Sequence, residues 1–165
     1  MEEILKGIDD WLRVHRPAYH RRLRSGVMPE KFSAFAAAFA QELPADLIAL
    51  YRWHDGQDPM SSDAMQGNRT FMTFDEVCET KAELDGMIGS DFEDPRYWRR
   101  GWIPFLHNGG GSYLCVDTEA VDGGMAGQLI AFWKSDSDRP IEHLSIREWA
   151  SKLLQSMQNG TLKTL

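Results

Sequence analysis

Between Trp102 and Trp133 the chain reads WIPFLHNGGGSYLCVD, TEAVDGGMAG and QLIAFW. Three short aromatic and aliphatic runs are separated by clusters of Gly, Asn and Asp, the usual sign of sheet strands bounded by turns. The connections are too short to hold a crossover helix, so neighbouring strands must run antiparallel. Strands are predicted near Trp102–Leu106, Ser112–Asp117 and Gln128–Trp133, with a fourth at Pro140–Leu144. The sheet is expected to be a platform that exposes a surface for another protein, with no reactive centre of its own.

Helices fill the rest. Ile4, Ile8, Trp11, Leu12 and His15 share one helical face, and Pro17 stops that helix. Ala18 to Met28 reads as a basic loop or frayed turn. A second helix opens at Pro29 and buries Phe32, Phe35, Ala36 and Phe39. A third runs from Pro44 with Leu47, Leu50, Tyr51 and His54 on one face and Gly56 as its left-handed stop. The two form a predicted helical hairpin. Gln57 to Asn68 is a loop, and Thr70–Met72 a short strand. Thr73 and Glu76 make a capping box for a helix with Phe74, Val77, Lys81, Leu84 and Ile88 on its buried stripe. Asp91 to Arg100 is a loop carrying Tyr97 and Trp98. Ser145 and Glu148 form a second capping box before a final helix that Gly160 closes, leaving 161–165 as a flexible tail. With no repeat or linker, the chain of 165 residues is read as one α+β domain.

The net charge of −7 is unevenly placed. His54 to Pro95 holds eleven acids against Arg69 and Lys81, whereas Arg13 to Arg24 holds five arginines and no acid. An acidic protein repels phosphates, which argues against direct nucleic-acid binding. It suits a basic protein surface. No apolar run approaches the roughly 18 residues of a membrane span. MEEILKGIDD opens with acids, so no secretory leader is expected. Cys78 and Cys115 read as buried structural thiols in a reduced, cytoplasmic protein.

No catalytic constellation stands out. Gly109-Gly110-Gly111 leads into a strand rather than a helix, so it reads as a turn and not a phosphate loop. The five histidines, at 15, 20, 54, 107 and 143, make no metal-spaced pair. His107 with Cys115 would be a thiol–imidazole pair, but an apolar strand makes the thiol a poor nucleophile. Asp117, Glu119 and Asp122 cluster in one turn, as a solvated loop, a cation site or a rim for a partner's arginines.

Leu43-Pro44-Ala45-Asp46-Leu47, Leu50-Tyr51 and His54-Asp55-Gly56-Gln57 resemble the signature of the SUKH superfamily, which includes the yeast cell-wall assembly regulator and many bacterial immunity proteins. Trp102-Ile103-Pro104-Phe105, Asn108-Gly109-Gly110-Gly111, Leu114-Cys115-Val116-Asp117, Gly127-Gln128-Leu129-Ile130, Asp138-Arg139-Pro140 and the Ser145–Trp149 helix start follow in the same order. The resemblance implies an α+β fold whose curved antiparallel sheet, of four to six strands, is flanked by N-terminal helices, a middle helix and a C-terminal helix. It also implies a non-enzymatic binding role without a cofactor. The leading expectation is an immunity-type protein that neutralises a basic toxin, such as a nuclease, by covering its active site. Asp55, Asp58, Asp117, Glu119 and Asp122 are the expected contacts, with Trp98 and Trp133 as aromatic anchors. The rivals are a scaffold or regulator of cell-wall synthesis or signalling, and a small-molecule or cation-binding domain or enzyme using Asp117, Glu119 and His107.

Overall fold

The strand-rich centre is a five-stranded antiparallel sheet in the order β3-β4-β5-β6-β7. Its members are β3 (Thr70–Phe71), β4 (Trp102–His107), β5 (Tyr113–Asp117), β6 (Gln128–Phe132) and β7 (Ile141–His143). This is seen in a computed structural model that describes residues 1–120 and 123–164. Pro104 has no N–H for the ladder, and the register of β4 on β5 shifts between Pro104 and Leu106, the bulge that a strand proline requires. Around the sheet lie α1 (Glu2–His15), α2 (Pro17–His20), α3 (Pro29–Phe39), α4 (Ala45–Trp53), α5 (Phe74–Gly86) and α6 (Ile146–Gln158). No described helix is long and apolar enough to cross a membrane.

Alternate side chains of the central strands enter two separate cores. Ile103, Phe105, Leu114, Val116 and Leu129 join a core with α1, α4 and α6 residues such as Ile8, Leu50 and Trp149. Trp102, Cys115, Ile130 and Phe132 face the other way and are covered by Leu84 of α5 and by Trp98. Every residue of β6 is buried. Burial on both faces is what makes QLIAF a continuous apolar run rather than an alternating one. It also corrects the expected open platform: the centre of the sheet presents neither face to a partner.

Three local readings change. Ala18–Met28 is not wholly loop, because Pro17 opens α2 and β1 (Leu23–Ser25) pairs antiparallel with β2 (His54–Gln57). His54 is already extended, so Gly56 lies within β2 instead of capping α4. Its φ of +66° and a backbone approach that would put a Cβ 2.3 Å from the Met72 carbonyl oxygen both demand glycine. The expected α3–α4 hairpin is replaced by a splayed pair. Phe32 and Phe35 of α3 pack on Phe74 of α5, while α4 contacts α1 and α6.

Both caps form. Thr73 and Glu76 satisfy each other's backbone N–H at 3.2 and 2.7 Å. Ser145 Oγ accepts from Glu148 N–H, but the Glu148 carboxylate takes the N–H of Leu144, one residue earlier than a capping box would. Within the expected tail, the Lys163 carbonyl accepts from Gly67 N–H at 2.7 Å and Leu162 packs against the core.

Candidate functional site

The HDGQ strand is a hub in which each residue holds a different neighbour. His54 sets Nδ1 2.8 Å from the Arg24 carbonyl and Nε2 3.1 Å from Asp9 Oδ1. Asp55 accepts the first N–H of α5, at Phe74, at 2.7 Å, and its other oxygen lies 3.6 Å from Arg24 Nε. Buried Gln57 accepts from Tyr19 O–H and Phe71 N–H through one oxygen, both at 3.0 Å. Its amide donates to the Ser61 and Asp63 carbonyls. Two of the four hydrogen bonds at this buried amide therefore hold the loop that follows β2, and the other two tie the amide to Tyr19 of α2 and Phe71 of β3.

That loop forms one wall of a polar groove of about 280 Å³, closed opposite by Thr70, Glu76, His107, Asn108 and Gly109. The glycine run is a turn, as expected. Asn108 Oδ1 accepts from Gly110 and Ser112 N–H, and Gly109 and Gly111 adopt positive φ. His107 Nδ1 accepts from Gly109 N–H at 3.0 Å, so in the neutral ring the proton rests on Nε2, 2.8 Å from Thr70 Oγ1. Burial lowers the basicity of this ring, with Glu76 pulling weakly the other way. His107 is thus a neutral brace of the turn. The two glycine-bearing segments, distant in sequence, meet at this groove.

The rim is acidic and exposed. Asp58 stands on the loop beside Met60, which is 91% exposed. Asp75, Glu79 and Glu83, four residues apart, are exposed on neighbouring α5, where Asp75 and Glu79 also line a separate cleft against α3. Part of the acidic segment is already answered within the fold: Arg22 meets Asp63 at 3.3 Å and Lys31 meets Asp75 at 2.6 Å.

The expected contact residues do not share one face. Asp58 lies on the groove, whereas Asp55 is buried and tied to the first turn of α5. Trp133 is half-buried at the same end of the sheet, under the Arg69 guanidinium. Asp117 lies at the other end of β5, roughly 13 Å along the strand from Tyr113. It is fully buried and accepts from Gln128 Nε2 at 2.8 Å and Glu119 N–H at 2.9 Å. Glu119 is exposed there, packed over Gly101. Trp98 is no surface anchor. It is 1% exposed, stacks edge-on against Trp102 and Phe132, and donates to Asp85 at 2.8 Å. Asp122 lies outside the described residues. His107 pairs with Tyr113 and Asp117 with Trp102, so the histidine and the Asp117–Glu119 pair do not converge on a shared site. His107 and Cys115 are likewise on different rungs, and burial drives the Cys115 thiol far above its ordinary value. Cys78 is only partly buried, yet burial still raises it to about 11.

A second, larger cleft of about 860 Å³ lies between α1 and α4, lined in part by Asp9, Ile48, Trp53 and His54. At its edge His20 and His54 converge on Asp9 Oδ1 at 3.0 and 3.1 Å. Among the described residues, these three could hold a metal ion: one ligand atom from each falls within 4.8 Å of the others. Burial alone would raise the Asp9 carboxyl, but hydrogen bonds to His54 and His20 outweigh it and leave the group below its ordinary value. Sequence spacing gave no hint of the cluster, whose members come from three elements.

Residues 26–152 match the family model described as the SMI1 / KNR4 family (SUKH-1). Among curated proteins none matches the chain.

Proposed function

Because the chain belongs to the SMI1 / KNR4 family (SUKH-1), we propose that it is an immunity-type binding protein that captures a basic toxin domain on the acidic groove. Family membership supports a protein-interaction or immunity-type domain, a generally non-enzymatic role. The observation that carries the reading further is the loop of Asp58 and Met60, held from beneath by buried Gln57. A loop so fixed loses little conformational freedom on binding, and preorganisation of this kind raises affinity. Met60 supplies an apolar anchor of a type enriched at interfaces. Asp58, Glu79 and Glu83 supply charge that would compete for the cationic side chains a nuclease uses on phosphates. Trp133, at the same end of the sheet but outside the groove lining, is a secondary contact, whereas Glu119 lies at the opposite end. The two free thiols fit action in the cytoplasm.

The test is co-expression with a basic toxin domain encoded beside this chain. Rescue of growth is expected from the wild type and its loss from Glu79→Lys/Glu83→Lys, with the circular dichroism spectrum unchanged. Rescue that survives the charge reversal together with Asp58→Lys would move the contact off this face. No rescue of any adjacent toxin would remove the immunity reading.

A further inference from the structure

We propose that Asp9, His20 and His54 form a binding site for a divalent transition cation of the zinc class. The donor atoms already converge. Both imidazole Nε2 atoms lie 3.0 and 3.1 Å from the single oxygen Oδ1 of Asp9. A tetrahedral ion with ligands near 2.1 Å holds neighbouring donors about 3.4 Å apart, so each His–Asp pair needs to open by only a few tenths of an ångström, while the three ligand atoms already lie within 4.8 Å of one another.

The second observation is the orientation of His54. The Arg24 carbonyl can only accept, and it lies 2.8 Å from His54 Nδ1, so that nitrogen carries the proton. The neutral ring then aims the Nε2 lone pair at a carboxylate oxygen, an arrangement of two acceptors that calls for a positive charge between them. A backbone carbonyl holding the far nitrogen is the usual support of a ligating histidine. A proton on Nε2 would also satisfy the contact, and the experiment below separates the two.

Two imidazoles and one carboxylate select zinc and its neighbours over magnesium or calcium, which prefer all-oxygen shells. Asp9 and His54 line the 860 Å³ cleft, so a fourth coordination position would open to solvent. Lys6, the nearest lysine on that wall, is engaged by Asp10 at 2.6 Å. The ligands come from α1, the end of α2 and β2, and a bound ion would fasten the N-terminal helices to the strand that carries the HDGQ hub. Asp9 and His20 precede the family-matched residues 26–152, and only His54 falls within them.

The experiment titrates the full chain, stripped with chelator, with ZnCl2, MgCl2 or CaCl2 and follows calorimetry, Tm and the histidine ring nitrogens by NMR. Zinc is expected to bind at one equivalent and raise Tm by about 5–10 °C at a hundredfold excess over Kd, with magnesium and calcium silent. The Nε2 resonances of His20 and His54 should move together in the wild type. Asp9→Asn, His20→Gln and His54→Gln should each weaken binding by more than about tenfold, while exposed His15→Gln leaves it unchanged. No binding, or binding that shifts other histidines and survives His54→Gln, overturns the proposal and leaves the cluster a proton-bridged ion pair.

Discussion

The two ends of the β4–β5 hairpin treat acidic residues in opposite ways. At the Asn108–Ser112 end, Asp58 stands in solvent on a braced loop, next to the exposed acids of α5. At the other end, Asp117 is sealed under the sheet and spends its oxygens on Gln128 and Glu119. Nearby, Lys81 and Asp85 are buried with Trp98. The same residue type thus faces solvent at one end and is internal wiring at the other. Charge in a sequence locates neither until burial is known.

The sharpest way to break this contrast is Lys81→Met. The ammonium is 1% exposed, 3.1 Å from Asp85, and donates to the Arg100 carbonyl. Removing it strands a buried carboxylate, which costs about 3–5 kcal/mol in urea denaturation. Lys81→Met/Asp85→Leu should recover a large part of that loss, limited by the Trp98 N–H left without its acceptor. A loss below about 1 kcal/mol for the single variant would mean that this end is not sealed.

Asp117→Ala follows, with an expected loss of about 1–3 kcal/mol because Gln128 Nε2 loses its acceptor in a dry site. Affinity for the proposed partner should stay within twofold of wild type. A large fall in affinity with normal stability would instead make the Asp117 end a contact surface.

These buried partners explain what could be read from sequence and what could not. Strands β4 to β6, the capping Thr73 and Ser145, and the α6 stripe are legible because their signals lie within a few residues. Lys81 already sat on the predicted buried stripe. Strands β1 and β2 were missed because three- and four-residue strands are defined only by each other, across α3 and α4. Trp98 followed no periodicity and read as surface, although its burial depends on Trp102 and Phe132. Asp58 could be named from sequence, but its groove could not. That cavity needs Gln57, Glu76 and His107 brought together by the fold.

A pH series sharpens the contrast at the groove end. Arg69 bonds both oxygens of Glu142, at 2.6 and 2.7 Å, and packs over Trp133. The Arg69 hydrogen bond holds the Glu142 carboxyl below the ordinary glutamate range, against the opposing effect of burial. A carboxyl lowered by folding stabilises fully above its unfolded pKa and loses that contribution as pH falls through the folded value. Wild type minus Glu142→Gln stability should therefore be positive by roughly 1 kcal/mol at neutral pH and shrink towards zero in acid. A difference that grows in acid would contradict the ion pair.

The smallest expected change in stability belongs to Asp58→Asn/Met60→Ala. Both side chains are exposed, and substitutions of that kind usually stay within about 0.5 kcal/mol. Among the described residues, Asp58 Oδ1 accepts only the local Met60 N–H at 3.0 Å, a bond that asparagine can keep. The fold should therefore be indifferent to the pair, whereas a partner seated on the groove loses a charge and an apolar anchor together. Affinity should fall about tenfold or more, as expected when a central contact is truncated. Gln57→Ala supplies the complementary case: it leaves Asp58 and Met60 in place but releases the loop beneath them. If a fixed loop is what favours binding, Gln57→Ala must lower both stability and affinity, while the surface pair lowers affinity alone. Equal affinity losses with no stability cost for Gln57→Ala would show that the buried amide is not what holds the loop in place.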